Sequence, residues 1–319
     1  MSEDAEARTS MGSSTLPGFR AFLRWRWERI RNPLPPDPDP AEIPRDTPQV
    51  ATPRAAEGEL RVTWLGHAAF LVQIGGLNVL TDPALGHRAS PVSWMGPARL
   101  VPSPFAVRDL PPVDAVVLSH DHFDHLDRPT VVKLRARFGD GPVWVTPRGY
   151  REWFGRLGVR NVRELSWWEE TVVSDVRIQA LPAQHWSRRG LRVNPRHWAS
   201  WGLRLVGDRS LYFGGDSGYF DGFRIIGERA GSFGAYLLPI GAYEPRWFMR
   251  HAHMNPEDAV QAYRDLGGEG AVVGMHWGTF RLTDEPPLEP PGRMRAAWAR
   301  AGLPADRLHL PGVGGTIRL

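Results

Sequence analysis

The stretch LSHDHFDHLD, residues 118–127, places three histidines and three aspartates within ten residues. It continues the run VDAVV (113–117), which is apolar on both faces and is typical of a strand covered on two sides. Because side chains alternate along an extended segment, His120 and His122 project to the same side and can bind one ion together. Asp124 and His125 follow where the chain turns into a helix, so they point elsewhere and can bind a second ion. The spacing predicts a metal site.

Three later segments repeat this arrangement of a strand followed by a metal-capable side chain. VRIQALPAQ (176–184) precedes His185, SLYFGG (210–215) precedes Asp216, and AVVGM (271–275) precedes His276. Strands mixed with helices predict an α/β or α+β layered fold. We expect the side chains at the strand ends to gather at one edge of the sheets.

Turn and cap residues predict further elements. Gly75-Gly76 separates two apolar runs and tolerates the positive φ of a tight hairpin turn. The segment 128–139 has helical spacing and ends in a glycine. Asn255 as N-cap, Pro256 at the first position and Gly267 as stop predict a helix over 256–266.

Composition limits the classes of function. The 319 residues are 42% hydrophobic and include no cysteine, so nitrogen and oxygen atoms must hold any metal. Lys133 is the only lysine among 39 basic residues, which indicates codon bias more than a phosphate-binding track, and no nucleic-acid partner is expected. No apolar run is long enough for a membrane span, and MSEDAEARTS does not resemble a signal peptide. A cytoplasmic location is the prediction.

The N-terminal part differs in composition from the rest. Residues 1–57 are predicted to form a proline-rich, partly disordered arm, and residues 58–319 the catalytic domain. Within the arm, FRAFLRWRWERI (19–30) predicts a basic amphipathic helix whose apolar stripe comprises Phe19, Phe22, Leu23, Trp27 and Ile30. Two interpretations stay open: the helix lies on an anionic membrane surface, or it docks on its own domain.

Several stretches together resemble a known family. They are WLGHAAFLVQ, LTDP, LSHDHFDHLD, LPAQHWSRRG, FGGDSGY, PIGAYEPRWFM, HMNPEDAV and MHWGTFRLTDEPPLEPP, and they run from about residue 62 to 291. The chain resembles the metallo-β-lactamase fold hydrolases, most closely the N-acyl phosphatidylethanolamine-hydrolysing phospholipase D branch. The resemblance implies an αββα four-layer sandwich, with two mixed β-sheets, helices outside and a dinuclear metal site along one edge.

The resemblance also implies a ligand set of two Zn²⁺ ions, although another divalent metal would fit the same donors. The first ion would be held by His120, His122 and His185. The second would be held by Asp124, His125 and His276, with Asp216 bridging both. Asp124 is assigned to catalysis as well as to binding. Two residues nearby have interpretations without metal: Asp82 supports the site or forms a turn, and His67 is structural.

The implied reaction is cleavage of N-acyl phosphatidylethanolamine to an N-acylethanolamine and a phosphatidic acid, by a hydroxide held on the metal ions. His253 would act on the substrate phosphate as hydrogen-bond donor or general acid; alternatively it only caps its loop. Tryptophans near the motifs would line an acyl groove or form core, and Arg246 would meet a phosphate or a surface carboxylate. A phospholipid substrate, peripheral membrane contact and a homodimer are compatible with the resemblance.

Two other classes of function remain. One keeps the metal but hydrolyses a lactone, a thioester or an RNA phosphodiester. The other is an iron electron-transfer protein or a binding module without catalysis. In the iron group glutamate is usual at the second motif position, where this chain has His122, and that difference argues against it.

Overall fold

The computed structural model describes residues 18–189, 196–205 and 209–319. The strands are β1 (Leu60–Gly66), β2 (Ala69–Ile74), β3 (Leu77–Thr81), β4 (Ala115–Val117), β5 (Val143–Pro147), β6 (Val162–Leu165), β7 (Glu170–Val173), β8 (Val176–Leu181), β9 (Ser200–Leu205), β10 (Ser210–Phe213), β11 (Ala235–Pro239), β12 (Ala271–Met275), β13 (Leu308–His309) and β14 (Thr316–Arg318). The α-helices are α1 (Phe19–Arg31), α2 (Arg128–Phe138), α3 (Arg151–Gly155), α4 (Gly222–Ala230), α5 (Arg246–Met249), α6 (Pro256–Asp265) and α7 (Glu289–Arg300).

The strands form two mixed sheets of the same design. The first has the order β14-β1-β2-β3-β4-β5-β6 and the second the order β13-β12-β11-β10-β9-β8-β7. In the first sheet β1, β2 and β3 pair antiparallel, and β3 to β6 pair parallel. In the second, β7 to β10 pair antiparallel, and β10 to β13 pair parallel. Parallel strands share one direction, so their carboxyl ends meet at one edge.

Apolar side chains divide the molecule into four layers. Along β2 the side chains alternate: Phe70 and Val72 belong to the core that also holds Ile178 and Leu203 of the second sheet. Leu71 points the other way, into a separate core that includes residues of α2 and α3. On the second sheet's outer side, Tyr236 of β11 contacts Tyr263 of α6, and that ring contacts Trp298 of α7. The predicted αββα sandwich is confirmed.

The turn and cap residues act as their chemistry predicts. Gly75 and Gly76 have φ of +55° and +70°, the left-handed values that the hairpin between β2 and β3 requires. At the start of α6, the Asn255 side chain accepts from the Asp258 backbone and the Asp258 side chain accepts from the Asn255 backbone, which makes a capping box. The predicted helices over 128–139 and 256–266 are confirmed, each ending one residue earlier.

The described part of the N-terminal arm lies along the domain. Ile43 is buried, Arg45 forms a β-bridge with Val313, and the Asp46 carboxylate accepts the Gly312 N–H at 2.8 Å. The division between residues 57 and 58 stays a prediction. Residues 1–17, part of the segment predicted to be partly disordered, lie outside the described residues.

Helix α1 contacts the domain through one side only. Trp25 is buried, its Nε1 donates to Asp284 at 2.9 Å, and Arg29 pairs with the same carboxylate at 2.6 Å. Docking on the domain is therefore observed, although Leu23, Trp27 and Ile30 of the apolar stripe are exposed and do not make the contact. None of the described helices is both long and apolar enough to cross a membrane.

Trp201 on β9 joins the two sheets behind the predicted metal site, and its loss should destabilise the fold. It is fully buried, and its Nε1 donates to the Leu118 carbonyl at 3.0 Å. We expect Trp201→Ala to lower the free energy of unfolding by about 3–5 kcal/mol. Trp201→Phe keeps most of the buried surface and loses the donor, so about 1–3 kcal/mol is expected. Denaturant unfolding of both variants measures this, and equal losses would contradict the packing argument.

Candidate metal centre

The motif loop after β4 is held by Asp82, which follows β3 in the neighbouring position of the sheet. Asp82 Oδ1 accepts the Ser119 N–H at 2.7 Å, and Oδ2 accepts the Ser119 hydroxyl at 2.5 Å. Nδ1 of His125 also lies 2.6 Å from Asp82 Oδ2. One buried carboxylate thus fixes both Ser119, at the start of the loop, and the orientation of His125, six residues further on.

The first cluster contains His120, His122 and His185. Their ligand-capable atoms all lie within 4.8 Å of one another. Nε2 of His120 is 2.8 Å from Nδ1 of His122, and Nε2 of His185 is 3.2 Å from that same atom. The other nitrogen of His185 donates to the Ala252 carbonyl at 3.0 Å, so its Nε2 carries the free lone pair that faces its neighbours.

The second cluster contains Asp124, His125 and His276, with His67 beside them. Nε2 of His125 lies 3.3 Å from Nε2 of His276 and 3.4 Å from Asp124 Oδ2. His67 Nε2 donates to Asp124 Oδ2 at 2.8 Å, and the His67 ring lies on that of His276 with centroids 3.8 Å apart. These four residues converge as closely as those of the first cluster.

Asp216 lies between the two clusters. Its Oδ1 is 2.9 Å from Nε2 of His276, in the second cluster. Its Oδ2 is 3.1 Å from Nε2 of His125, 3.9 Å from that of His120 and 3.8 Å from that of His185. Both oxygens thus lie close to the second cluster, and Oδ2 also lies within 4 Å of the first, which is the position that a bridging ligand needs.

His253 lies close to the Asp216 carboxylate. Its Nδ1 is 3.8 Å from Asp216 Oδ2, and its ring centroid is 5.3 Å from that of His185 and 5.6 Å from that of His276. Arg246 donates to the His253 carbonyl at 2.8 Å, which fixes the backbone just before α6. The structure therefore brings together all eight predicted site residues: His120, His122, Asp124, His125, His185, Asp216, His253 and His276.

The chemistry of these donors fits a pair of divalent cations. Several buried polar atoms have no hydrogen-bond partner in the described structure, among them His122 Nε2, His253 Nδ1 and both Asp216 oxygens. Asp82, Asp124 and Asp216 are buried, and within the described ranges their ion pairs are with histidines and not with arginine or lysine. Buried carboxylates need a positive partner. Imidazole and carboxylate together suit zinc.

The pKa shifts of the clustered histidines and aspartates agree with a site that binds positive charge. Burial lowers the pKa of His120 and His185 well below the usual range, and neighbouring imidazoles lower it further against the opposing Asp216, so both rings are neutral, the form that can bind a metal. Burial acts in the same direction on His125, but Asp216 and Asp124 outweigh it and hold the pKa of His125 well above its usual range. Burial would raise the pKa of Asp124 and Asp216, yet His125 holds both well below theirs. The carboxylates attract a positive charge that a metal ion can supply.

Two contributors were not identified as such from the sequence. Ser119 links Asp82 to His120, because its hydroxyl also lies 2.8 Å from Nδ1 of His120. His67 contacts Asp124 directly, beyond the structural role expected of it, and burial with the adjacent His276 lowers its pKa to about 3. The only sequence signal near His67 is the Gly66-His67 pair at the end of an apolar run. In the structure the φ of His67 is +58°.

The structure also shows where some of the tryptophans near the motifs lie and which carboxylate Arg246 contacts. Trp201 and Trp277 are buried and belong to the core, whereas Trp186 contacts the His122 ring with centroids 4.3 Å apart. Arg246 pairs with Asp258 of the α6 capping box, so the carboxylate alternative is the one observed.

Comparison with known proteins agrees with this geometry. Residues 77–277 match the beta-lactamase superfamily domain. The chain is 40% identical over 252 residues to the N-acyl-phosphatidylethanolamine-hydrolyzing phospholipase D 1 of Caenorhabditis elegans, covering 75% of this chain and 70% of that protein. It is 36% identical to the mitochondrial N-acyl-phosphatidylethanolamine-hydrolyzing phospholipase D of Saccharomyces cerevisiae, over 80% of this chain and 55% of the yeast protein.

A solved structure shares the fold at lower identity. The metallo hydrolase Igni18 of Ignicoccus hospitalis superposes with a TM-score of 0.62 at 22% identity, over 82% of this chain and 98% of the archaeal chain. The fold and the His/Asp centre thus define a metal-dependent hydrolase of the β-lactamase superfamily. Within it, the chain belongs to the branch of metallo-β-lactamase fold hydrolases that includes the N-acyl phosphatidylethanolamine-hydrolysing phospholipases D.

Asp82 orients His125 without belonging to either cluster of three, so its removal should weaken metal binding and leave the fold intact. We expect Asp82→Ala to reduce the affinity for one of two metal ions about 10–100-fold, since partners of a ligating histidine have effects of that size. Competition titration with a fluorescent chelator measures it. The exposed Asp109→Ala serves as control. Unchanged affinity at both sites would contradict the orienting role.

Proposed function

We propose that this protein is a zinc-dependent phosphodiester hydrolase of the phospholipase D type. Its substrate would be N-acyl phosphatidylethanolamine, and its products an N-acylethanolamine and a phosphatidic acid. The observation that carries the proposal is the placement of Asp216 between two clusters of metal-capable side chains, with His253 against it. The substrate is taken from the named activity of the nematode and yeast relatives.

Residues of this chain account for the roles that the reaction needs. His120, His122 and His185 would hold one zinc ion, and the second would be held by Asp124, His125 and His276, with Asp216 shared. Bound there, the ions would lower the pKa of water toward neutrality and neutralise phosphate oxygens. Asp124, oriented by His67, would keep one ion in place during turnover. His253 would donate a hydrogen bond to the substrate phosphate.

A lipid substrate implies contact with a membrane surface, so we include peripheral membrane association, from the cytoplasmic side, in the proposal. A homodimer is also compatible, and sedimentation of the purified chain would measure it. No nucleic-acid substrate is proposed. A polynucleotide would bind with a steep salt dependence, which a titration would reveal.

The test is turnover of the purified protein on a panel of substrates with and without a chelator. The panel holds an N-acyl phosphatidylethanolamine, bis-p-nitrophenyl phosphate, a homoserine lactone and a thioester. We expect cleavage of the phospholipid, loss of activity on chelation, recovery with zinc, and two zinc ions per chain by elemental analysis. Hydrolysis of the lactone or the thioester alone would move the assignment to a metallo-hydrolase of another bond.

A further inference from the structure

Helix α1 carries an apolar stripe that the domain leaves uncovered. Phe22, Leu23, Trp27 and Ile30 are exposed by 41%, 49%, 53% and 74%. At about 100° per residue Leu23, Trp27 and Ile30 lie on the side of the helix opposite the docked residues Trp25 and Arg29, and Phe22 lies at the edge between the two sides. The docked face is therefore the more polar of the two, which is the reverse of how an amphipathic helix packs on its own core.

The docking that orients the helix is specific. Trp25 stacks on Phe248 with ring centroids 5.1 Å apart, and Arg24 lies over the Trp247 ring at 4.4 Å. Trp25 and Arg29 share the Asp284 carboxylate, and Arg29 also donates to the Thr283 carbonyl at 3.0 Å. Contacts to two separate segments, 247–248 and 283–284, fix the rotation of α1 and direct its apolar stripe away from the domain.

The charge of the helix complements an anionic surface. Its thirteen residues include Arg20, Arg24, Arg26, Arg29 and Arg31 and one acid, Glu28. Among the described residues, Arg24 pairs with Glu28 and Arg29 with Asp284, while the ion pairs observed do not involve the exposed Arg20, Arg26 or Arg31. An exposed stripe of aromatic and aliphatic side chains flanked by arginines is the pattern of a helix that lies in a lipid interface.

Helix α1 is connected to the candidate metal centre through α5. It packs on α5, the helix that begins with Arg246, and Arg246 holds the carbonyl of His253 at 2.8 Å. A surface bound to the stripe is therefore connected through α1 and α5 to the segment that carries His253. No described part of the chain covers the exposed apolar stripe of α1.

We propose that the outward face of α1 (Phe22, Leu23, Trp27 and Ile30, with Arg20, Arg26 and Arg31) is the surface by which this protein docks on an anionic phospholipid membrane. Docking through a helix that packs on α5, whose Arg246 contacts the His253 carbonyl, would bring lipid toward the site, and in that respect the inference rests on the proposed function. Binding itself does not depend on turnover, so the two can fail separately.

The experiment is sedimentation of the full-length protein with vesicles. Equal parts of phosphatidylglycerol and phosphatidylcholine are compared with phosphatidylcholine alone. Each arginine near an anionic surface contributes about fivefold in affinity, so we expect Arg20→Glu/Arg31→Glu to reduce binding to the anionic vesicles at least about tenfold. We expect a similar loss for Trp27→Ser/Ile30→Ser. All these side chains are exposed, so circular dichroism should show an unchanged fold.

Matched controls are an apolar and a basic residue exposed on other helices. Val132→Ser on α2 and Arg224→Glu on α4 should leave vesicle binding unchanged. Hydrolysis of the water-soluble bis-p-nitrophenyl phosphate should be the same in all variants, which separates docking from the chemistry. Wild-type levels of vesicle binding in the α1 variants would overturn the proposal. So would a dimer that dissociates when Ile30 is replaced, because the stripe would then bind a second copy.

Discussion

Asp216→Asn is expected to lower kcat by at least about 10³-fold and to reduce the bound metal below two ions per chain. The substitution keeps the shape of the side chain and removes its charge. Asp216 is buried, and its two oxygens face His276 on one side and His125, with the first cluster, on the other. An amide offers one weak acceptor oxygen, so it cannot neutralise cations on both sides. Turnover and elemental analysis of the purified variant measure both effects.

The control for this experiment is Asp175→Asn, in the exposed turn between β7 and β8. It removes the same charge far from the strand ends and should leave kcat and metal content at the wild-type values. Full activity of Asp216→Asn with two ions retained would contradict the bridging role. Loss of activity with a collapsed fold would be recognised by thermal unfolding, and Asp216→Glu would then test the charge without removing it.

His253→Ala is expected to lower kcat by about 10²–10⁴-fold while two metal ions stay bound. The ring lies beside Asp216, and its buried Nδ1 has no hydrogen-bond partner among the described residues, so the atom is free to bind a substrate group. Metal content should be unaffected because both clusters of three are complete without it. Single-turnover rates and elemental analysis on the same sample separate the two readouts.

The protonation state of His253 predicts how the effect of this substitution depends on pH. Burial lowers its pKa to about 4, against the opposing effect of Asp216, so the ring is neutral above that pH and protonated only below it. A neutral imidazole donates one hydrogen bond but is not a strong acid at neutral pH, and we expect the ratio of wild-type to variant kcat to be constant across the neutral range. His251→Ala, two residues earlier in the same segment, is the matched control. A variant as active as wild type would leave His253 as a loop cap.

The donor atoms were predictable from the sequence because strand ends are local features. A strand of period two followed by a turn fixes where His120 and His122 point relative to Asp124 and His125. The single residues His185, Asp216 and His276 follow the same rule, each at the end of an apolar run. The hairpin at Gly75-Gly76 and the cap at Asn255 were likewise set by backbone chemistry within four residues.

Contacts between distant segments could not be predicted in this way. The sequence assigned His67 a structural role, yet His67 and Asp124 are 57 positions apart and meet only because the first sheet brings the segments after β1 and β4 together. Arg246 had two plausible partners, and the fold places Asp258 within reach. The two sheets repeat one strand order, but nothing in the residue pattern at short period reveals it.

By itself, the sequence predicted which side chains gather at the strand ends, that nitrogen and oxygen must bind any metal, and that residues 19–30 form an amphipathic helix. Only the tertiary structure decided that Asp216 stands between the clusters and that the apolar stripe of α1 faces outward. Hydrophobic periodicity defines a face of a helix, but not what covers it. That depends on long-range contacts, here between Trp25 and Asp284, which are 259 positions apart.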